Sequence, residues 1–201
     1  MSNPPLTVLY THNLRGDLDL LPRLYTWLQR LRSAAPGPCV LLDLGASCVP
    51  DVWPCAVTGG RSTLFVLDAM NYQAARVSDV LAPESVESLA AQTMMALVDA
   101  GRPHLANDLL FAVTAADIDH DLTYQWAVLL NPAARTECAG RELRLSPVQA
   151  GEVGRVELAA AGGLRFTIER LPPHTPADPT IAGTVDFVRG EARYFESRRQ
   201  G

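Results

Sequence analysis

Two short apolar runs rich in branched side chains, residues 6–10 and 39–42, bracket a stretch in which Leu20, Leu21, Leu24, Trp27, Leu28 and Leu31 recur at helical spacing. Neither run alternates apolar with polar residues, so each reads as a strand buried on both faces. Pro22 falls in the first turn of the helix, where its missing N–H does no harm, and Pro36-Gly37-Pro38 ends it. A strand, a helix and a second strand in this order predict a parallel pair joined by a right-handed crossover. The turns that leave the two strands then lie side by side at the carboxyl edge of the sheet, where open α/β sheets place their sites.

The pattern continues with a helix over 62–71 opened by Gly59-Gly60, a third strand over 72–77, and a helix over 84–100. In that last helix Val86, Leu89, Ala90, Met94, Leu97 and Val98 form the apolar stripe, acidic residues fill the first turn, and Gly101 stands at the end. The Met94-Met95 pair reads as core filling. From Pro103 onward the texture changes to short apolar runs at 109–113, 124–130, 141–145, 153–158 and 164–170, separated by Gly and Pro, which predict a mostly antiparallel second half. The last two runs flank residues 159–163 as a hairpin. Pro172, Pro173, Pro176 and Pro179 make 171–179 an extended connector, and 181–188 a closing strand or helix. The expected organisation is one domain over 1–201, with an α/β half at 6–111 and a mostly β half at 112–201.

With 201 residues, 48% of them hydrophobic, the chain can bury about 70% of its unfolded surface. All 17 basic residues are Arg, against 22 acidic ones, for a net charge of -5, and only Arg198-Arg199 cluster. Binding to a nucleic acid backbone needs a basic face, so nucleic acid is not an expected partner. No apolar run approaches the length of a membrane span, and Met1-Ser2-Asn3-Pro4-Pro5 does not read as a leader, so the expectation is a cytoplasmic protein. Cys39, Cys48, Cys55 and Cys138 contain no C-x-x-C pair. Buried thiols are the expected state, with a Cys48/Cys55 metal clip as the alternative.

Three blocks carry chemistry by position: Asn13-Leu14-Arg15-Gly16 after the first strand, Leu41-Leu42-Asp43-Leu44-Gly45-Ala46 at the second, and Ala69 through Val80 around the third. In order and spacing, over residues 6–111, they resemble the calcineurin-like metallophosphoesterases, and within them the amino-terminal half of the 5'-nucleotidase group. The resemblance implies an αββα sandwich with a parallel β-α-β first half and a two-metal site at the strand ends. In that family the first strand ends in Asp, an apolar residue, His and Gly, where this chain has Asn13, Leu14, Arg15 and Gly16. The second block ends in a bridging Asp, replaced by Ala46, and Ser78-Asp79-Val80 stands in place of Gly-Asn-His. His104, His120 and His174 are isolated, and none follows a Gly as the family's later histidines do.

Two-metal phosphoesterases hold their ions about 3.5 to 4 Å apart, which requires an anionic bridge and several N or O ligands. Asn13 offers a neutral carbonyl, Arg15 a positive charge, and Ala46 nothing. The expectation is a catalytically degenerate, metal-free pseudoenzyme whose cleft is lined by His12, Asn13, Arg15, Asp43, Ala46 and Asp79. It would serve as a binding or interaction module for an unknown protein partner or a small anionic ligand, with no membrane partner. A homo-oligomer formed through Trp-bearing surfaces is one open arrangement.

Arg15 either grips an anion or pairs with Asp17 or Asp43. His12 is either a residual acid or base or simply hydrogen-bonded. The alternative is a phosphoester hydrolase using Mn, Zn or Mg at an altered or mononuclear site, drawn from His12, Asp43, Asp79 and the cluster Asp117, Asp119, His120 and Asp121. That cluster lacks the Gly and distal Glu of a calcium loop, and a solvated turn is its preferred reading.

Overall fold

The computed structural model describes residues 5–119, 121–159 and 163–199. In chain order the elements are β1 (Leu6–Thr11), α1 (Leu21–Ser33), β2 (Cys39–Asp43), α2 (Cys55–Thr58), α3 (Arg61–Ala69), β3 (Ala74–Arg76), α4 (Pro83–Ala90), β4 (Ala96–Val98), β5 (His104–Ala106) and β6 (Leu109–Ala112). A 3-10 turn at Ala115–Asp117 precedes β7 (Trp126–Leu129), β8 (Glu137–Ala139), β9 (Glu142–Arg144), β10 (Glu152–Leu158), β11 (Leu164–Arg170) and α5 (Pro179–Arg199).

Two sheets are formed. The first runs β11-β10-β1-β2-β3-β4, with β1 through β4 parallel and the β10–β11 hairpin laid antiparallel against β1. The second runs β5-β6-β7-β9-β8. Its three central strands are parallel and its edge pairs antiparallel, so the second half is more mixed than its short runs predict. Strand alternation sorts the side chains into layers. Val8, Tyr10, Leu42 and Leu44 pack against Phe111, Val128 and Leu143 between the sheets, while Leu9, Leu41 and Ala75 face Leu24, Leu28, Leu64, Leu67 and Val185 of the helices. The outer face of the second sheet is closed by Ile118 and Tyr124 over Leu110, Ala127 and Leu129.

The proline-rich connector is extended as expected, and Arg23 of α1 satisfies its carbonyls, donating to Pro172, Pro173 and Thr175. Asp178 then caps α5 by accepting the backbone N–H groups of Thr180 and Ile181 at 2.9 and 3.0 Å. α5 lies over α1 and α3 and is clipped there by Arg189–Asp19 and Arg61–Glu191 ion pairs.

Two expectations are corrected. The helix expected over 84–100 stops at Ala90, and residues 96–98 form a strand parallel to β3. Asp68 Oδ1 accepts the backbone N–H groups of both Met94 and Met95, turning the chain out of its helix, and Met94 is 97% exposed rather than core filling. Cys48 and Cys55, expected as thiols, form a disulfide across a turn that brings their Cα atoms to 5.6 Å, within bridging range. Neither sulfur is then free to ligate a metal as a clip. Cys39 and Cys138 are free thiols. No helix among the described residues is long and apolar enough to cross a membrane.

Candidate functional site

The turns leaving β1, β2 and β3 meet at the carboxyl edge of the first sheet. The first two are zipped by backbone hydrogen bonds: Leu44 N–H to the Thr11 carbonyl, Asn13 to Gly45, Arg15 to Ala46 and Gly16 to Ser47. To fit this ladder Asn13, Arg15 and Ala46 take left-handed backbones, with φ of 59°, 55° and 52°. Asn tolerates that region, whereas Arg and Ala are strained there by about 1–2 kcal/mol each. The ladder thus holds the two turns side by side in a defined backbone geometry. Gly16 is required for packing, because a Cβ there would lie 2.6 Å from Cys55 Sγ.

Asp43 is fully buried at the end of β2 and faces Thr11, its register partner on β1. The Thr11 hydroxyl donates to Oδ1 at 3.0 Å and Gly45 N–H to Oδ2 at 3.1 Å. Ser47 Oγ approaches the same carboxyl but lies outside hydrogen-bonding geometry and is left unpaired. Thr11 has one hydroxyl hydrogen, so the buried Tyr72 hydroxyl, 3.1 Å away, donates to Thr11. Burial raises the Asp43 carboxyl to about 7, opposed by its hydrogen bonds and by the charge of Arg76. Burial also raises the Tyr72 hydroxyl.

Arg76, at the end of β3, is the cation of the cleft. It pairs with Asp79 at 2.7 Å, donates to the Leu44 carbonyl at 3.3 Å, and is only 12% exposed. Its guanidinium packs on Gly45, where a Cβ would stand 3.3 Å from Nη1 and where φ is 101°. Arg76 Nε is buried and unpaired. His12 is half-buried beside it, also with an unpaired buried Nδ1. Burial lowers the His12 pKa and Arg76 pushes it the same way, against the Val148 carbonyl and Asp79.

The cleft residues named from sequence therefore do converge on one edge, with two differences. Arg15 is exposed and makes no ion pair among the described residues, so it pairs with neither Asp17 nor Asp43. The buried cation at this edge is Arg76, three residues before Asp79 and outside the positions that the motif frame marks. A charged residue ending the apolar run Ala74-Ala75 was the available signal. Asp79 is 58% exposed and engaged by Arg76.

The aspartate cluster lies beyond β6 and takes the turn reading. Asp117 accepts from Gly101 N–H and from the backbone and hydroxyl of Thr114, which lower its pKa against the effect of burial, and Asp119 accepts from Asp121 N–H. His120 lies outside the described residues. Of the tryptophans, Trp126 is buried, Trp27 half-buried and Trp53 exposed.

These residues do not fit a two-metal centre. Asn13 Nδ2 donates to the Val148 carbonyl at 3.4 Å, Ala46 has no donor atom, and both Asp43 oxygens are occupied. Among the described residues no three His, Cys, Asp or Glu side chains converge to hold an ion.

No family model and no curated protein matches the chain. Among solved structures it is similar to the sulfate thiohydrolase SoxB of Thermus thermophilus, determined in complex with glycerol, with a TM-score of 0.64 at 11% identity. The match covers 92% of this chain and 60% of that one, so the chain spans well under the whole length of its neighbour. At that identity the likeness speaks to fold alone: the chain has a metallophosphoesterase-like α/β sandwich.

Proposed function

We propose that this chain is a catalytically degenerate metallophosphoesterase-like protein that works without metal as a binding module, its cleft accepting a small anion or an acidic group of a protein partner. The observation that carries this reading is Arg76. A guanidinium acts electrostatically on Asp43 and His12, is held by Asp79 and Leu44, and would repel a divalent cation where the fold would otherwise seat one. Arg76 Nε and His12 Nδ1, both buried and unpaired, supply groups that an anionic oxygen could meet.

The test is thermal melting of metal-stripped protein with Mn²⁺, Zn²⁺ or Mg²⁺, and separately with phosphate or sulfate, each also run on Arg76→Gln. A ligand at 100 times its dissociation constant adds about 2.7 kcal/mol to the folded state. For a chain of this size that is about 5–11 °C. The expected result is no shift with the metals and a rise with the anion that Arg76→Gln abolishes. A metal-dependent rise together with phosphoester hydrolysis would overturn the proposal in favour of an altered or mononuclear hydrolase.

A further inference from the structure

At the opposite edge of the molecule the amino-terminal ends of the parallel strands in both sheets spread around a cavity of about 510 Å³. It lies one strand length from the cleft, about 16 Å along β1. Cys39 and Val40 begin β2, Leu109 opens β6 and Trp126 opens β7, while Leu158 closes β10 against Leu6. Voids inside packed cores rarely exceed a water molecule, whereas this volume falls in the range of about 300–1,000 Å³ typical of small-molecule sites. None of the lining residues is charged.

Three carboxamides stand at the polar part of the wall. Gln73 is committed to the fold, accepting from Leu41 N–H at 2.6 Å and donating to the Asn71 carbonyl at 3.0 Å. Asn107 and Gln125 are exposed at the rim, and among the described residues neither carboxamide is engaged. Asn107 is fixed by a left-handed backbone at φ 50° in the β5–β6 turn, and Gln125 N–H is anchored to the Asp108 carbonyl at 2.7 Å. Two free carboxamides held by ordered backbone beside an apolar hollow can read a paired donor and acceptor. They offer no counter-charge to an ion, and burying an ion there unpaired would be strongly unfavourable.

We infer that this cavity binds an uncharged, largely apolar small molecule with an amide-like edge, its body between the sheets against Trp126 and its edge on Asn107 and Gln125. The site is independent of the cleft and does not rest on the reading of Arg76. Cys39 opens onto the same cavity and is a free thiol, so it reports occupancy, with Cys138 as an internal control away from the site.

The experiment uses the neutral fluorophore N-phenyl-1-naphthylamine on the whole chain. The expected result is saturable one-site emission sensitised by tryptophan, with the sensitisation reduced in Trp126→Phe. Binding weakens by about tenfold or more when Val40→Trp fills the hollow, and the anionic 8-anilinonaphthalene-1-sulfonate binds at least about tenfold more weakly than the neutral probe. In the unaltered chain the probe slows alkylation of Cys39 by iodoacetamide and leaves Cys138 unchanged. 1-Naphthamide displaces the probe better than naphthalene does, and Gln125→Ala removes the difference.

Absence of saturable binding would overturn the inference. So would binding that leaves Cys39 unprotected, a reading that needs no variant to fold. Equal displacement by naphthamide and naphthalene would overturn the amide-edge assignment.

Discussion

Asp43 makes the pH behaviour of the chain a test of its buried cluster. Burial raises its folded pKa to about 7, above the ordinary carboxylate value of 3.8, so the folded state holds the proton more tightly than the unfolded one. The stability this supplies is fully present below about pH 4 and is lost as pH rises through 7. At about 1.4 kcal/mol per unit, it amounts to at most about 4 kcal/mol. His12 has the opposite sign, since its lowered pKa gives stability above 6.5 that is lost as pH falls through the folded value. Urea denaturation at pH 5 and pH 8 should therefore show a fall across that window in the parent protein that is missing in Asp43→Asn. Identical pH dependence in the two would sink the account. The sequence made Asp43 legible as a candidate site residue by its place at the end of an apolar strand. It could not disclose that Thr11 and Tyr72 bind it, because those contacts depend on strand register and on a loop after α3.

Among the elements, α4 and β4 teach most about where sequence reading fails. Val86, Leu89, Ala90, Met94, Leu97 and Val98 fit helical spacing, but spacing is blind to a carboxylate from another element. Asp68 of α3 binds the two N–H groups that would have continued the helix, and Met95, in the bend before β4, and Val98, at the end of β4, reach the core on opposite faces of the sheet. Met94→Lys should change stability by no more than about 0.5 kcal/mol, as at other exposed positions. Met95→Ala should lose about 2–5 kcal/mol, because its side chain is 2% exposed. A urea series that found the two substitutions equal would contradict this placement. β10 offers a second check. Gly154 sits opposite Tyr10 in register, and a Cβ there would collide with the Tyr10 ring. Gly154→Ala should lose about 1–3 kcal/mol by overpacking, and Tyr10→Leu in the same chain should recover part of that loss.

Across the whole molecule, the parallel run β1-β2-β3 was legible because each strand is local to the crossover that follows it. The β10–β11 hairpin against β1 was not, since it joins residues about 150 apart in sequence and no local pattern encodes that pairing. The disulfide belongs to the same class of hidden feature, created by a turn that folds Cys55 back onto Cys48. It ties the turn after β2 to α2, and the Gly16 turn packs on its sulfur, so one cross-link braces both walls of the cleft. The bridge spans a sequence separation of 7, and closing so short a loop contributes about 2.5 kcal/mol in the chain-entropy account. Reduction should therefore lower the melting temperature by about 5–10 °C. It should also speed amide exchange at Arg15 and Gly16, whose N–H groups are held by the turn that carries Cys48. The Cys48→Ala/Cys55→Ala double variant should melt near the reduced protein and ignore reductant. If the reduced protein instead kept both its melting temperature and its exchange protection, the cleft would owe its shape to the backbone ladder between Asn13 and Ser47 alone.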